Sequence, residues 1–125
     1  SLPRHGTIRY ISEILADPET FPSVRTFGTL TTTDFAKGRI GIEHEGNSLQ
    51  IDTDLLSHDV GFKRGSLYMF IGEIVVQQGC VLLRARIARN VDGMDLDLFA
   101  TALKLRRKFE DRLAKSVHED AVMVD

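Results

Sequence analysis

The chain has 125 residues, of which 42% are hydrophobic and 27% are charged, and its formal net charge is −2. These values predict one globular domain with a single core. They exclude a highly basic protein that coats nucleic acid through its bulk charge, although a local basic groove remains open. We expect no membrane segment and no secretory signal, because no apolar run has the required length or flanks. The single cysteine, Cys80, excludes an internal disulfide and favours a reducing compartment.

The first predicted element is a short N-terminal helical arm. Ile8, Ile11, Ile14 and Leu15 recur at roughly helical spacing. Pro18 follows, and it ends any helix because proline cannot continue one.

Strands are predicted from Val24 onward. In VRTFGTLTTT the alternation of apolar and polar residues fails between Phe27 and Leu30, and we predict a glycine bulge at Gly28 that shifts the parity. RIGI and SLQID alternate on either side of the turn signal EGN, so they predict a hairpin. The residues from Thr53 to Arg64 break this pattern and predict a loop with a helical turn.

Two long strands follow, joined by the turn signal QQG. The first, GSLYMFIGEIVV, has apolar residues at both parities, although a half-buried strand should carry them on one face. In the second, CVLLRARIARNV, alternation predicts that Val81, Leu83, Ala85 and Ile87 face inward. The first strand therefore needs a cover for its second face.

The last predicted element is a helix that starts after Asp95, which is a good N-cap. At 100° per residue one narrow apolar stripe runs along it, which we call the seam. The seam consists of Leu98, Ala102, Leu105, Phe109 and Leu113. A second stripe, confined to the first turns, consists of Leu96, Phe99 and Leu103.

Together these elements predict an all-β fold with accessory helices. Five strands, a bent first strand, an interruption before the fourth strand and a trailing helix favour a five-stranded OB-fold barrel. We place the barrel at residues 24–91 and the C-terminal α-helix at residues 95–116, within one OB-fold domain of residues 2–125 that begins with the N-terminal helical arm. Another small all-β barrel of similar length is the alternative.

Catalytic motifs are absent from the sequence, so we predict that the chain is not an enzyme and uses no metal or cofactor. The close carboxylate pairs, Asp52 with Asp54 and Glu43 with Glu45, flank turns, where solvated acids are common. The four histidines are scattered and predict surface positions: His5, His44, His58 and His118. A small hydrolase is the alternative, and it would need Asp52, Asp54 and a histidine in one pocket.

Basic side chains on the predicted strands suggest contact with nucleic acid. An OB-fold that holds a single strand uses basic residues along the backbone and aromatic residues as stacking platforms. The predicted phosphate contacts are Arg25, Lys37, Arg39, Arg84 and Arg86, and the candidate platforms are Phe35 and Tyr68. The alternative is that these charges keep the outer surface soluble and that Tyr68 lies in a contact with another protein.

The seam predicts a partner, since it runs about three turns beyond the reach of a small barrel. Exposed apolar surface of that size usually marks a binding site, and a partner helix is the simplest cover. The alternative is burial within the chain, against the N-terminal arm and the loop before the fourth strand.

The runs VRTFGTL, GSLYMFIGEI and RARIARNVDGMDLDLFATAL, with the opening LPRHGT, resemble the family of small Ten subunits of the telomeric CST (Ctc–Stn–Ten) complex. The resemblance spans Leu2 to about Phe109, and VDGMDL is its most specific element. It implies a single OB-fold with a C-terminal helix, paired with the OB-fold of the Stn subunit much as the small and middle subunits of replication protein A pair. The partner-binding residues would be Met94, Leu98, Ala102, Leu105, Phe109 and Tyr68.

The resemblance also implies a function in the nucleus, at the chromosome telomere. The heterodimer would join the large Ctc subunit, and the trimer would bind single-stranded telomeric DNA, protect the chromosome end and assist polymerase alpha–primase in C-strand fill-in. Arg25 corresponds to a basic residue in the family's first strand. The alternative function is a stand-alone OB module that binds single-stranded nucleic acid.

Overall fold

The structure, a computed structural model, describes residues 7–20, 22–56 and 61–122, with side chains as far as residue 115. The chain divides into two compact units, one ending at Asp92 and one beginning at Gly93. The elements of the first unit are β1 (Thr7–Ile8), α1 (Ile11–Ala16), β2 (Ser23–Asp34), β3 (Arg39–His44), β4 (Asn47–Asp52), β5 (Leu67–Gln77) and β6 (Cys80–Asn90). The second unit contains α2 (Leu96–Val122).

The first unit is a closed barrel whose strands pair in the order β2-β3-β4-β6-β5 and back to β2. All neighbours are antiparallel except β4 and β6, whose parallel pairing matches Gln50–Asp52 with Leu82–Arg84. The short β1 adds to the outside edge of β2, where Thr7 pairs with Val24. The predicted five-stranded barrel with a C-terminal helix is therefore confirmed.

Two tight turns set the register of the hairpins. Glu45 and Gly46 join β3 to β4 with φ values of 50° and 80°, and Gln78 and Gly79 join β5 to β6 with φ values of 51° and 77°. Two central residues with positive φ make a turn whose twist matches that of the flanking strands. The turn signals EGN and QQG were thus interpreted correctly.

The bulges of the barrel differ from the prediction. The register of β2 against β3 shifts at Thr31, and Gly28 lies where β2 passes from β5 to β3. A Cβ on Gly28 would lie 3.1 Å from the Cβ of Ile42, so the glycine permits close strand approach rather than a bulge. A second shift, at Arg86 in β6, reverses the parity, so Ile87 is 45% exposed and does not face inward as predicted.

The core fills the barrel and continues under the N-terminal arm. Ile11 and Ile14 of α1 are fully buried in the same cluster as Val24, Phe70 and Leu83. The helical arm was predicted, and α1 ends before Pro18 as expected. Of the loop from Thr53 to Arg64, residues 57–60 lie outside the described residues, and the described part contains turns without a helix.

The helix α2 begins at the predicted cap. The Asp95 carboxylate accepts a hydrogen bond from the Leu98 N–H at 3.0 Å, and the Asp95 carbonyl accepts one from Phe99. The helix continues to Val122, beyond the end predicted at residue 116. That every residue belongs to one domain stays a prediction, since the barrel and α2 form separate units.

Candidate partner and nucleic-acid interfaces

The seam of α2 is exposed along its length. The exposed fractions are 66% for Leu98, 62% for Leu105, 66% for Phe109 and 54% for Leu113. Residues three and four apart lie on one face of a helix, and Leu98 and Leu113 are separated by about 22 Å along the axis. The seam is therefore a continuous strip of large apolar side chains in contact with water.

The second stripe of α2 differs from the seam. Leu103 is only 6% exposed, and Leu96 and Phe99 are half-buried. The second stripe is therefore less exposed than the seam of the same helix. Ala102 is exposed beside the large seam residues, and Met94, just before the helix, is half-buried.

Tyr68 is not available for contact with another protein, which corrects its prediction as a partner-binding residue. Its side chain is 2% exposed and packs edge-on against Phe62, with ring centres 5.3 Å apart. Its hydroxyl accepts a hydrogen bond from the Lys63 N–H at 2.7 Å and donates one to the Gly61 carbonyl at 3.3 Å. Tyr68 therefore fastens the loop before β5 to the barrel, and it is not a stacking platform either.

The outer face of β5 is only partly covered. Met69 and Ile71 on that face are half-buried, and Ile87, which pairs with Ile71, is 45% exposed. Apolar residues at both parities of this strand therefore reflect a core on one side and a partly open apolar surface on the other.

Two of the five predicted phosphate contacts share one carboxylate. Arg39 on β3 places Nη1 3.5 Å from Asp52 Oδ1, and Arg84 on β6 places Nε 3.4 Å from Asp52 Oδ2. The three residues come together because β4 lies between β3 and β6. The Asp52 side chain is 6% exposed, whereas those of Arg39 and Arg84 are 32% and 40% exposed.

The other three basic residues form no ion pair with Asp52 in the described part of the chain. Arg86, at the bulge, donates from Nε to Glu73 at 2.6 Å, and this hydrogen bond and the Glu73 charge raise the pKa of Arg86. Arg25 is half-buried beside Ile71, with its Nε unpaired among the described residues. Lys37 is exposed in the turn after β2, which also holds Phe35, 62% exposed.

His44 is not the surface residue that its position suggested. Its ring stacks on Tyr10 and meets the edge of Phe27, with centres 6.0 Å and 4.8 Å apart. This aromatic cluster holds the N-terminal arm on the barrel. His5 and His58 lie outside the described residues, and the side chain of His118 does too.

The described residues offer no metal site, and Asp52 is held by structural contacts. Within residues 7–20, 22–56 and 61–115, no three His, Cys, Asp or Glu side chains are grouped to hold a metal ion. Asp52 is occupied by two arginines and by the Asp54 N–H, which donates to it at 2.9 Å. Of the helices in the described part of the chain, none could cross a membrane.

Asp92, the last residue of the first unit, makes a structural hydrogen bond that was not predicted from the sequence. Its carboxylate accepts from the Leu67 N–H at 2.7 Å. This bond, with one from the Ser66 side chain, lowers the pKa of Asp92. The carboxylate therefore ties the start of β5 to the residue at which the first unit ends.

A closed five-stranded barrel with this strand order is an OB-fold, a class that binds oligonucleotides and oligosaccharides. Residues 2–113 match the family model described as a telomere-capping CST complex subunit. The chain belongs to this family of telomere-capping proteins.

A curated relative agrees with this assignment, and two solved structures share the fold. The CST complex subunit TEN1 of Arabidopsis thaliana is 44% identical over 70 residues, which cover 54% of each chain, so the match spans about half of that relative. A chain of the S. pombe Stn1–Ten1 complex has a TM-score of 0.66 and 17% identity, covering 82% of this chain and 92% of that one. The E. coli hypothetical protein ygiW has a TM-score of 0.56 and 12% identity, covering 69% and 91%. At these identities the two structures establish the fold.

Proposed function

We propose that this chain is a non-enzymatic subunit that binds and stabilises a Stn-type OB-fold subunit through the seam of α2. One observation carries the proposal: the large seam side chains of the free chain are more than half exposed, whereas the second stripe of the same helix is buried or half-buried. Covering such a strip is favourable because it removes apolar surface from water.

The form of the partner surface follows from the seam. A strip about 22 Å long and one side chain wide fits a helix or a groove, which covers it with anchors at three- and four-residue spacing. A charged pair lies beside it, with Arg106 bonded to Glu110 at 3.0 Å. A polar rim of this kind is typical of protein interfaces. Met94, Leu98, Ala102, Leu105 and Phe109 are the proposed contact residues.

Family membership supports the wider assignment. The heterodimer would join a Ctc-type large subunit at telomeres in the nucleus, and the trimer would bind single-stranded telomeric DNA. There it would protect chromosome ends and support C-strand fill-in by polymerase alpha–primase. The likeness to a chain from a Stn1–Ten1 complex supports the choice of first partner.

The test is a mass measurement by sedimentation of this chain alone and mixed with the cognate Stn-type OB domain. We expect one species in the mixture whose mass is the sum of the two chains. If the two chains sediment separately at micromolar concentration, the partner assignment is wrong.

A further inference from the structure

One side of the seam carries a pair of basic side chains. At about 100° per residue, Arg112 lies roughly 60° and Lys108 roughly 100° from the midline of the seam, both on the same side. Because the two residues are four apart, they lie on one face of α2, about 6 Å from each other along the helix axis. Both side chains are exposed. We call Lys108 and Arg112 the basic border of the seam.

Neither residue of the basic border forms an ion pair with another described residue. On the other side of the seam, Arg106 lies roughly 60° from the midline and bonds to Glu110, so that side is neutral. Asp111 lies nearly opposite the seam, where it is 3.6 Å from Lys115. In the part of α2 whose side chains are described, the seam is therefore positive along one side and neutral along the other.

A second copy of this chain does not neutralise the basic border. In an antiparallel pair of α2 helices related by a two-fold axis, the border would face itself, and like charges repel. In a parallel pair it would face the neutral side, where Arg106 and Glu110 already bond to each other. The charge that complements the border must therefore come from a different chain.

We propose that the partner element covering the seam is an amphipathic helix with acidic residues along the edge that faces Lys108 and Arg112. Two carboxylates one helical turn apart match the spacing of the two cations. This inference rests on the proposed function, because it names the partner chemistry of the same seam. The apolar anchors supply most of the affinity, and the acidic edge determines on which side of the seam the partner lies and speeds association.

The test reverses the charge nearest the seam. Binding of Arg112→Glu to the fluorescently labelled Stn-type OB domain is titrated at low salt and at about 0.5 M salt, after circular dichroism has shown that the helix is retained. We expect a Kd about five- to tenfold higher than that of the unaltered chain at low salt, and a smaller difference at high salt, because exposed charges are screened. Arg112→Lys keeps the charge and should bind within about twofold of the unaltered chain. Unchanged or tighter binding by Arg112→Glu would overturn the proposal.

Lys104→Glu is the matched control. It makes the same change in net charge on the same helix, and Lys104 is exposed roughly 140° from the midline of the seam. It should bind within about twofold of the unaltered chain. If it weakens binding as much as Arg112→Glu, the overall charge is responsible and the role of the basic border is refuted.

A carbodiimide cross-link tests the chemistry of the partner edge without a substitution. This reagent joins a lysine amine directly to a carboxylate that contacts it. In the mixture of the unaltered chain and the Stn-type OB domain, we expect an amide bond between Lys108 and an aspartate or glutamate of the partner, located by mass spectrometry of the digested adduct. Lys104 is the internal control and should form none. A complex in which Lys108 forms no such bond would contradict the proposal.

Failure of this inference can be distinguished from failure of the proposed function. If Phe109→Ala weakens binding and Arg112→Glu does not, the seam binds the partner but the acidic edge is absent. If neither substitution weakens binding, the seam is not the interface and both proposals are wrong. A free chain that sediments as a dimer at low salt would assign the seam to a second copy, and it would also refute the acidic partner.

Discussion

Phe109 is the seam residue whose removal should weaken the heterodimer most. It is 66% exposed in the free chain and lies between Leu105 and Leu113 along the seam. Since an aromatic side chain hides roughly 200 Å² when fully buried, a partner that covers Phe109 removes roughly 130 Å² from water. At about 25 cal/mol per Å² this burial contributes about 3 kcal/mol.

Phe109→Ala should cost the complex about 2 kcal/mol, because alanine keeps part of the contact. This free energy corresponds to a rise of about 30-fold in Kd. Phe109 is exposed, and alanine favours helix, so the isolated chain should unfold at the same or higher denaturant concentration. The loss should therefore appear in binding and not in stability.

The assay is isothermal titration of the chain with the purified Stn-type OB domain. Lys104→Ala is the control, since Lys104 is exposed on the same helix but lies away from the seam. It should bind within about twofold of the unaltered chain, as rim positions usually do. Unchanged affinity of Phe109→Ala, or an equal loss from both variants, would refute the assignment of the seam.

Other substitutions test the barrel. Tyr68→Phe removes two hydrogen bonds and should lower the free energy of unfolding by about 1–2 kcal/mol in urea titrations. If the variant keeps its stability but binds the partner more weakly, Tyr68 is a contact residue and not a buried structural one. Gly72→Ala should cost about 3 kcal/mol or prevent folding, because its Cβ would lie 2.8 Å from the carbonyl carbon of Arg84; a variant as stable as the parent would show that the strands can separate. The lowered pKa of Asp92 means that its carboxylate stabilises the folded chain above the unfolded-state pKa of about 4, and that this contribution is lost as pH falls through the lower folded pKa. As the pH is lowered through that range, urea titrations should show a smaller loss of unfolding free energy for Asp92→Asn than for the parent. Identical pH profiles of the two proteins would show that the Asp92 carboxylate does not contribute to the pH dependence.

Local signals predicted much of the fold. The turn signals, the proline after α1 and the Asp95 cap act over a few residues, so the sequence alone identifies them. The bulges were misplaced because they depend on which strand lies opposite. Thr31 and Arg86 are not residue types that signal a bulge, so the sequence does not identify them. Glycine does signal one, but Gly28 instead permits the close approach of two strands.

The candidate interfaces were predicted unevenly for the same reason. The seam follows from helical periodicity, and its exposure fits that pattern. Tyr68 was misplaced because both parities of β5 are apolar, and alternation cannot then tell the inner face from the outer one. The sharing of Asp52 by Arg39 and Arg84 depends on strand order, which links residues far apart in the chain.

The most direct test of the central claim is photo-crosslinking within the mixture of the two subunits. A photo-crosslinking amino acid is placed at Leu105 in one variant and at Lys104 in another, on different faces of α2. If the seam is the surface that the Stn-type subunit covers, the probe at Leu105 forms the covalent adduct and the probe at Lys104 does not. Equal yields at both positions, or an adduct from Lys104 alone, would contradict the account.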